Sequence, residues 1–280
     1  MPSLMSVVIE NYNELVESKT DPIMDSWLFM KSPVPVISIL VAYLYFVLKL
    51  GPQLMANRPA FNLKGVIIAY NAYQVLFSLW LCGQVFYFKS VIFQLFGQSC
   101  RGESTNGEVN TFMASCVWWY FISKIVELLD TVFFVLRKKQ SQVTFLHVYH
   151  HGIMMLFTWI YLKFLSDEQG LFIGFLNSFV HVIMYSYYLI AALGPQYQKY
   201  LWWKKYMTWI QLTQFCIMLV YLFSIPMMGC KLSKSVTFFF AGNVAIFLYL
   251  FADFYRKAYT KKSKNASSIP NGCVKASKLE

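Results

Sequence analysis

Two stretches of this chain, Val66–Phe88 and Val236–Ala252, contain no charged residue. Runs of that length suit a bilayer, whose hydrocarbon core takes about 20 apolar helical residues to cross. In water, such runs would have to be covered on every side. The rest of the sequence cannot cover them: of 280 residues, 13% are charged and 58% hydrophobic, whereas a soluble domain is about a quarter charged. The same balance excludes a disordered chain, a collagen-like chain and a small disulfide scaffold. The sequence therefore reads as an all-α polytopic membrane protein.

The apolar runs predict seven transmembrane helices, near 34–50, 65–86, 112–135, 143–163, 171–193, 207–228 and 236–255. Turn-forming residues punctuate them: Gly51-Pro52, Arg58-Pro59, the Gly/Ser/Asn-containing stretch 97–110, Gly170 and Gly194-Pro195. Pro226 lies within the sixth run, where it would kink or end the helix. The expected organisation is a lumenal segment 1–33, a membrane domain 34–255 and a basic cytosolic tail 256–280. The N-terminal segment carries Glu10, Glu14, Glu17, Asp21 and Asp25. A cleavable signal peptide begins with basic residues, so the first span is expected to direct insertion itself.

Orientation follows from the distribution of basic residues, which collect on the cytosolic side. With the N-terminus lumenal, sixteen of the 24 Lys and Arg fall in cytosolic segments and seven in lumenal ones; the last, Lys124, lies inside the third run. The net charge of +11 is then concentrated on the cytosolic face. That face suits anionic lipid headgroups or a polyanionic substrate. No basic soluble module is present, so nucleic acid is not an expected partner. The Asn265-Ala266-Ser267 sequon falls in the cytosolic tail and should stay unglycosylated.

Ionisable residues at membrane depth are costly, by about 2.5–3.5 kcal/mol each on insertion scales, and usually mark function. The third run holds Lys124, Glu127 and Asp130, within about 120° of one helix face. Lys124 and Glu127 could simply pair with each other, which would leave Asp130 in need of its own partner. The fourth run opens with His147, His150 and His151, which share a sector of about 100°. The fourth and last histidine, His181, lies in the fifth run between Asn177 and Tyr185. Thr208, Gln211 and Gln214 form a polar stripe in the sixth. By helical rise these groups all lie in the cytosolic half of the bilayer.

Several chemistries use histidine clusters. A di-iron oxygenase needs about twice as many histidines as the four here. A single zinc could use the four histidines, but Lys124 on the face of the carboxylates favours charge pairing, and no metal is expected. Imidazole can also act without metal, as acid, base or nucleophile near neutral pH. It can attack a thioester and hold the acyl group, dividing one transfer into two steps. Cys82, Cys116 and Cys216 also lie in membrane runs but share no short motif with a histidine, so a thiol nucleophile is the weaker option. A rival class is a seven-helix transporter or receptor with a histidine proton relay. Receptors need no such layer, and transporters usually show two corresponding halves with broken helices, for which the sequence gives no repeat.

Four segments carry a resemblance: Lys124-Ile-Val-Glu127-Leu-Leu-Asp130-Thr131, His147-Val-Tyr-His150-His151, Asn177 to Tyr188, and Thr208 to Phe215. Together they resemble the motifs of the ELO family, the elongases of very-long-chain fatty acids. The seven runs match that family along nearly the whole chain. Val135 to Phe145 and Tyr200 to Tyr206 resemble the subgroup containing animal members one and seven.

The resemblance implies a 3-oxoacyl-CoA synthase, an acyltransferase of the endoplasmic reticulum membrane. It would condense a long-chain fatty acyl-CoA with malonyl-CoA, lose carbon dioxide and lengthen the chain by two carbons. Both thioesters are substrates, and no cofactor is expected. The resemblance also implies that helices two to seven form a barrel around a substrate tunnel, with the first helix outside. It assigns His150 as the nucleophile, and His147, His151 and His181 as acid/base and positioning partners. Asp130 would orient a histidine. Lys124, Arg137, Lys139, Gln142, Asn177, Lys204 and Thr208 would meet the CoA and thioester, with Lys261, Lys262 and Lys264 closing over the nucleotide. Membrane lipids, other enzymes of the elongation cycle and a second copy of the chain are candidate partners.

The cysteines give a further expectation. Under this topology Cys100 and Cys230 are the two in lumenal segments, where disulfides are permitted. They could bridge if the third and sixth helices, or the second and seventh, are neighbours.

Overall fold

The computed structural model describes residues 22–86, 107–164, 169–227 and 234–260, and these are helical without strands. A short helical turn, Pro22–Asp25, comes first. The long helices follow as α1 (Val34–Met55), α2 (Lys64–Gln84), α3 (Gly107–Leu136), α4 (Phe145–Phe164), α5 (Gln169–Leu193), α6 (Lys204–Met227) and α7 (Lys234–Tyr255). Five of them, α1, α2 and α5 to α7, are long and apolar enough over their length to cross a membrane. The other two, α3 and α4, hold Lys124, Glu127, Asp130 and the His147, His150, His151 cluster. Their polar residues lower the very signal that marks a span.

Helix ends differ from the sequence expectation in informative ways. Gly51-Pro52 was expected to end the first run near residue 50, yet α1 continues to Met55. Proline lacks an N–H and its ring clashes with the preceding turn. The chain absorbs this by widening into a π turn at Phe46–Leu50, so that the Gly51 N–H reaches back to the Phe46 carbonyl. Gly51 is also a point of close approach: a Cβ there would meet Val135 Cγ1 at 2.6 Å. At the other boundary, α3 ends with Lys138 in the left-handed region at φ 55°. The Lys139 N–H bonds the Phe134 carbonyl at 2.9 Å, and the Lys138 N–H bonds that of Val135 at 3.0 Å. This closing turn satisfies carbonyls that would otherwise be left over at a helix C-terminus.

The main core joins α1, α3 and α4. Phe121, Leu128 and Val135 recur every seventh residue on α3, as Val148, Met155 and Leu162 do on α4, with Val36, Tyr43 and Val47 from α1. A seven-residue spacing is two helical turns, so each set forms one stripe. In lipid, packing contacts and interhelical hydrogen bonds hold such stripes together; Tyr43 Oη and Thr131 Oγ1 are 2.8 Å apart across α1 and α3.

The remaining helices pack in a definite order. α2 lies against α5, α5 against α6, α6 against α7, α7 against α4, α4 against α3, and α3 against α2. α3 also touches α5, while α1 rests on α3 and α4. The pairs that the Cys100–Cys230 expectation relied on, α3 with α6 or α2 with α7, are not among the principal contacts of the described residues. Both cysteines lie outside the described residues, as do Lys261, Lys262 and Lys264.

One end of the assembly gathers the basic connections. The Phe61 N–H bonds the Leu136 carbonyl at 3.1 Å, and Lys138 Nζ bonds the Ala56 carbonyl at 3.2 Å. Tyr187 of α5 meets Trp203 ahead of α6, and Trp209 of α6 donates to Tyr255 of α7 at 3.0 Å. The C-terminal ends of α1, α3, α5 and α7 thus share this end with the N-terminal ends of α2 and α6.

Candidate active site

Between the helices lies a cavity of about 1160 Å³, open space included. Six polar lining residues gather toward one end, Tyr120 from α3, His150 from α4, Asn177 and Ser178 from α5, Gln214 from α6 and Asn243 from α7, while Gln84, Thr158 and Tyr161 line the other part. There the wall is mostly apolar, with Val85, Met113, Phe157, Leu171 and Phe240 among its residues. This second part lies toward the C-terminal end of α4 and the N-terminal end of α5, away from the basic connections.

Behind the polar end, α3 and α5 exchange a dense set of contacts. Tyr120, Lys124 and Glu127 recur at helical spacing on α3; Asn177, His181 and Tyr185 do so on α5. Lys124 Nζ donates to Glu127 Oε1 at 2.8 Å and to Asn177 Oδ1 at 2.9 Å. The Tyr120 hydroxyl donates to the same Asn177 oxygen at 2.8 Å. His181 Nδ1 lies 3.2 Å from Glu127 Oε1. Lys124 and Glu127 are each only 2% exposed. An unpaired charge at such a position would be strongly destabilising, so the two charges and the histidine belong to one unit.

Asp130, one turn further along α3, engages different partners. The Tyr185 hydroxyl donates to its Oδ2 at 2.7 Å, and His151 Nε2 is 4.0 Å from that oxygen. Gln74 of α2 donates to the Tyr70 hydroxyl at 2.8 Å, and the Tyr70 and Tyr185 rings meet edge to face. Thus Lys124 and Glu127 do pair with each other, and Asp130 has partners of its own on α4 and α5.

The three α4 histidines were expected to point one way, but they divide. His150 lines the cavity, with Phe247 of α7 5.0 Å from its ring centre. His147 and His151 turn toward α3: their rings are 4.4 Å apart, and His147 sits against Phe134. Adjacent residues on a helix differ by about 100°, which separates His150 from His151. His147 Nε2 is buried and has no hydrogen-bond partner. Among the described residues, no group of three His, Cys, Asp or Glu is arranged to hold a metal ion.

The structure thus brings His147, His150, His151, His181, Asp130, Lys124 and Asn177 together. Thr208 is buried one turn into α6. Arg137 is half-buried, and Lys139, Gln142 and Lys204 are exposed around the basic end. Two cavity residues, Tyr120 and Asn243, were absent from the sequence reading. Tyr120 precedes Lys124 by one turn, a spacing that could have marked it. Asn243 is an isolated polar residue in an apolar helix, and its Oδ1 accepts from the Tyr149 hydroxyl at 3.4 Å.

The class defined here is a helical membrane protein with an internal cavity whose polar, histidine-bearing end gives way to an apolar one. Comparison with known proteins narrows this. Residues 28–267 match the model of the ELO, GNS1/SUR4 family, and the chain belongs to that family. It is 41% identical to very long chain fatty acid elongase 7 of Drosophila melanogaster, covering 98% of this chain and 85% of that one. It is 42% identical to very long chain fatty acid elongase 7 of Rattus norvegicus, over 98% and 97% of the two chains. With very long chain fatty acid elongase 1 of Mus musculus the identity is 37% over 99% of each.

Proposed function

We propose that this protein is a fatty acid elongase that condenses a long-chain acyl-CoA with malonyl-CoA. The observation that carries the reading is His150, which lines the polar part of the cavity with the Phe247 ring against it. A thioester carbonyl at that point would leave its acyl chain in the apolar part and its CoA toward the basic end. Membership of the ELO family and the names of the similar proteins support the same chemistry.

In the proposed mechanism a His150 ring nitrogen attacks the thioester carbonyl. The C–S bond breaks, and CoA leaves as a thiol with the proton taken from the histidine cluster. Loss of carbon dioxide from malonyl-CoA then supplies a carbon nucleophile. It attacks the acyl-imidazole, forms the new C–C bond and expels the His150 nitrogen, which takes up the one proton that the overall condensation consumes, giving 3-oxoacyl-CoA. Covalent catalysis of this kind replaces one difficult step by two easier ones. His181 would be held by Glu127, and His151 oriented by Asp130, so that each presents a defined nitrogen. Arg137, Lys139, Gln142, Lys204, Lys261, Lys262 and Lys264 would bind the CoA, with Lys124, Asn177 and Thr208 near the thioester.

The proposed setting is the endoplasmic reticulum membrane, with seven spans, a lumenal N-terminal segment 1–33, a membrane domain 34–255 and a cytosolic tail 256–280. The helix order α2–α5–α6–α7–α4–α3, returning to α2, supports a barrel with α1 outside. The test uses microsomes expressing the chain, given labelled malonyl-CoA and a long acyl-CoA. The reading requires a labelled 3-oxoacyl product; intact protein that yields none would overturn it.

A further inference from the structure

The far end of the cavity holds a clasp between α4 and α5. The lining residues of α4 run from His150 to Tyr161, and those of α5 begin at Gly170. Eleven residues of helix separate His150 from Tyr161, or about 16 Å at 1.5 Å per residue. At that distance the Gly170 N–H donates to the Tyr161 hydroxyl at 2.9 Å. This N–H belongs to the first turn of α5, where backbone donors lack partners within the helix. Tyr161 is therefore held across the gap between the two helices.

Two further contacts fix the ring. Phe240 of α7 lies edge-on, with ring centres 5.5 Å apart and planes at 90°. Gly170 itself leaves no room behind it: a Cβ there would fall 2.4 Å from Tyr161 Cζ. The ring is thus seated on bare backbone, and both residues line the cavity.

We infer that Tyr161, anchored through its hydroxyl to the Gly170 amide and braced by Phe240, is the stop that meets the terminal methyl of the acyl chain and sets the greatest length accepted. This rests on the elongase reading above and names the residue that determines acyl length within that site. The argument is one of volume. A bound chain that fits the apolar part gains about 0.8 kcal/mol for each methylene taken from water. A chain one two-carbon round too long must displace the ring, breaking its bond to Gly170 and its packing on Phe240. Removing the ring should therefore admit the next longer chain, and loosening its anchor should admit it in part.

The test measures kcat/KM for a series of saturated acyl-CoAs in purified protein. For each variant it compares the longest chain accepted by the wild type with the next, two carbons longer. Tyr161→Leu should raise the longer-to-shorter ratio about tenfold, and Tyr161→Phe by a smaller factor. An unchanged ratio in a folded Tyr161→Leu would overturn the proposal. If Tyr161→Leu does not fold, as judged by its elution as a single species in detergent, Tyr161→Phe decides: a ratio equal to that of the wild type would overturn the anchored stop. Failure of the elongase reading is a different result, namely no 3-oxoacyl product from the wild type at any length.

Discussion

The two ends of the cavity are built by opposite means. At the polar end, Lys124, Glu127, Asn177, His181 and Tyr120 are joined by hydrogen bonds and an ion pair of 2.8–3.2 Å. At the apolar end, shape does the same job: Phe157 stacks on Phe239 and meets Phe240 edge to face, with Tyr161 accepting a hydrogen bond from the Gly170 amide. Hydrogen-bonded charges fix angles and positions, and they fail badly when one member is lost. Packed apolar walls fix volume, and they tolerate exchange of similar side chains. The first arrangement suits a reacting group that must not move. The second suits a chain whose length alone is to be measured.

The largest expected effect comes from breaking the polar unit on one side only. Glu127→Ala leaves Lys124 buried without its carboxylate and should cost about 3–5 kcal/mol, read as a large fall in thermal stability in detergent. The double variant Lys124→Met, Glu127→Leu should recover most of that loss, since replacing both ions by apolar groups of similar size is often neutral. Activity should not return with it. A double variant as unstable as Glu127→Ala would contradict the pairing described here.

A smaller effect is expected from Tyr185→Phe, which removes the donor to Asp130 Oδ2. A hydrogen bond to a charged group contributes about 1.5–3 kcal/mol. If Asp130 acts by orienting His151, kcat should fall while KM for acyl-CoA changes little; a rise in KM alone would point to substrate binding instead. At the apolar end, Met113→Leu conserves volume in the wall and should cost less than about 1.5 kcal/mol. The smallest change is expected for Lys138→Ala at the exposed α3–α4 connection: alanine meets the same left-handed backbone as lysine, and the loss is the exposed hydrogen bond to the Ala56 carbonyl, about 0.5 kcal/mol. Thermal melting of both variants beside the wild type checks these two values.

What could be read from the sequence depended on the physical signal each region carries. The helices were legible because a bilayer demands continuous apolar length, and the connections because glycine and proline punctuate it. The π turn at Phe46–Leu50 was not, because Gly51-Pro52 reads as a break until the packing of α1 on Val135 is known. Lys124 and Glu127 were legible as a pair, being one turn apart on a single helix. The junction of Glu127 with His181, and of Asp130 with Tyr185, needed the packing of α3 on α5. The division of the α4 histidines was also hidden: spacing gives the sector they share, while the neighbours α3 and α7 decide which ring enters the cavity. Tyr161 and Gly170 look like an ordinary aromatic and an ordinary turn residue in the sequence, and their contact exists only in three dimensions.

The central claim is that His150 carries the acyl group, and intact-mass measurement of the purified protein tests it most directly. Incubated with a long acyl-CoA and no malonyl-CoA, the wild type should gain the mass of one acyl group, and later addition of malonyl-CoA should remove it with release of 3-oxoacyl-CoA. The folded His150→Ala variant should gain no such mass and form no product. Full condensation by that variant, or an acyl adduct that persists in it, would contradict the account.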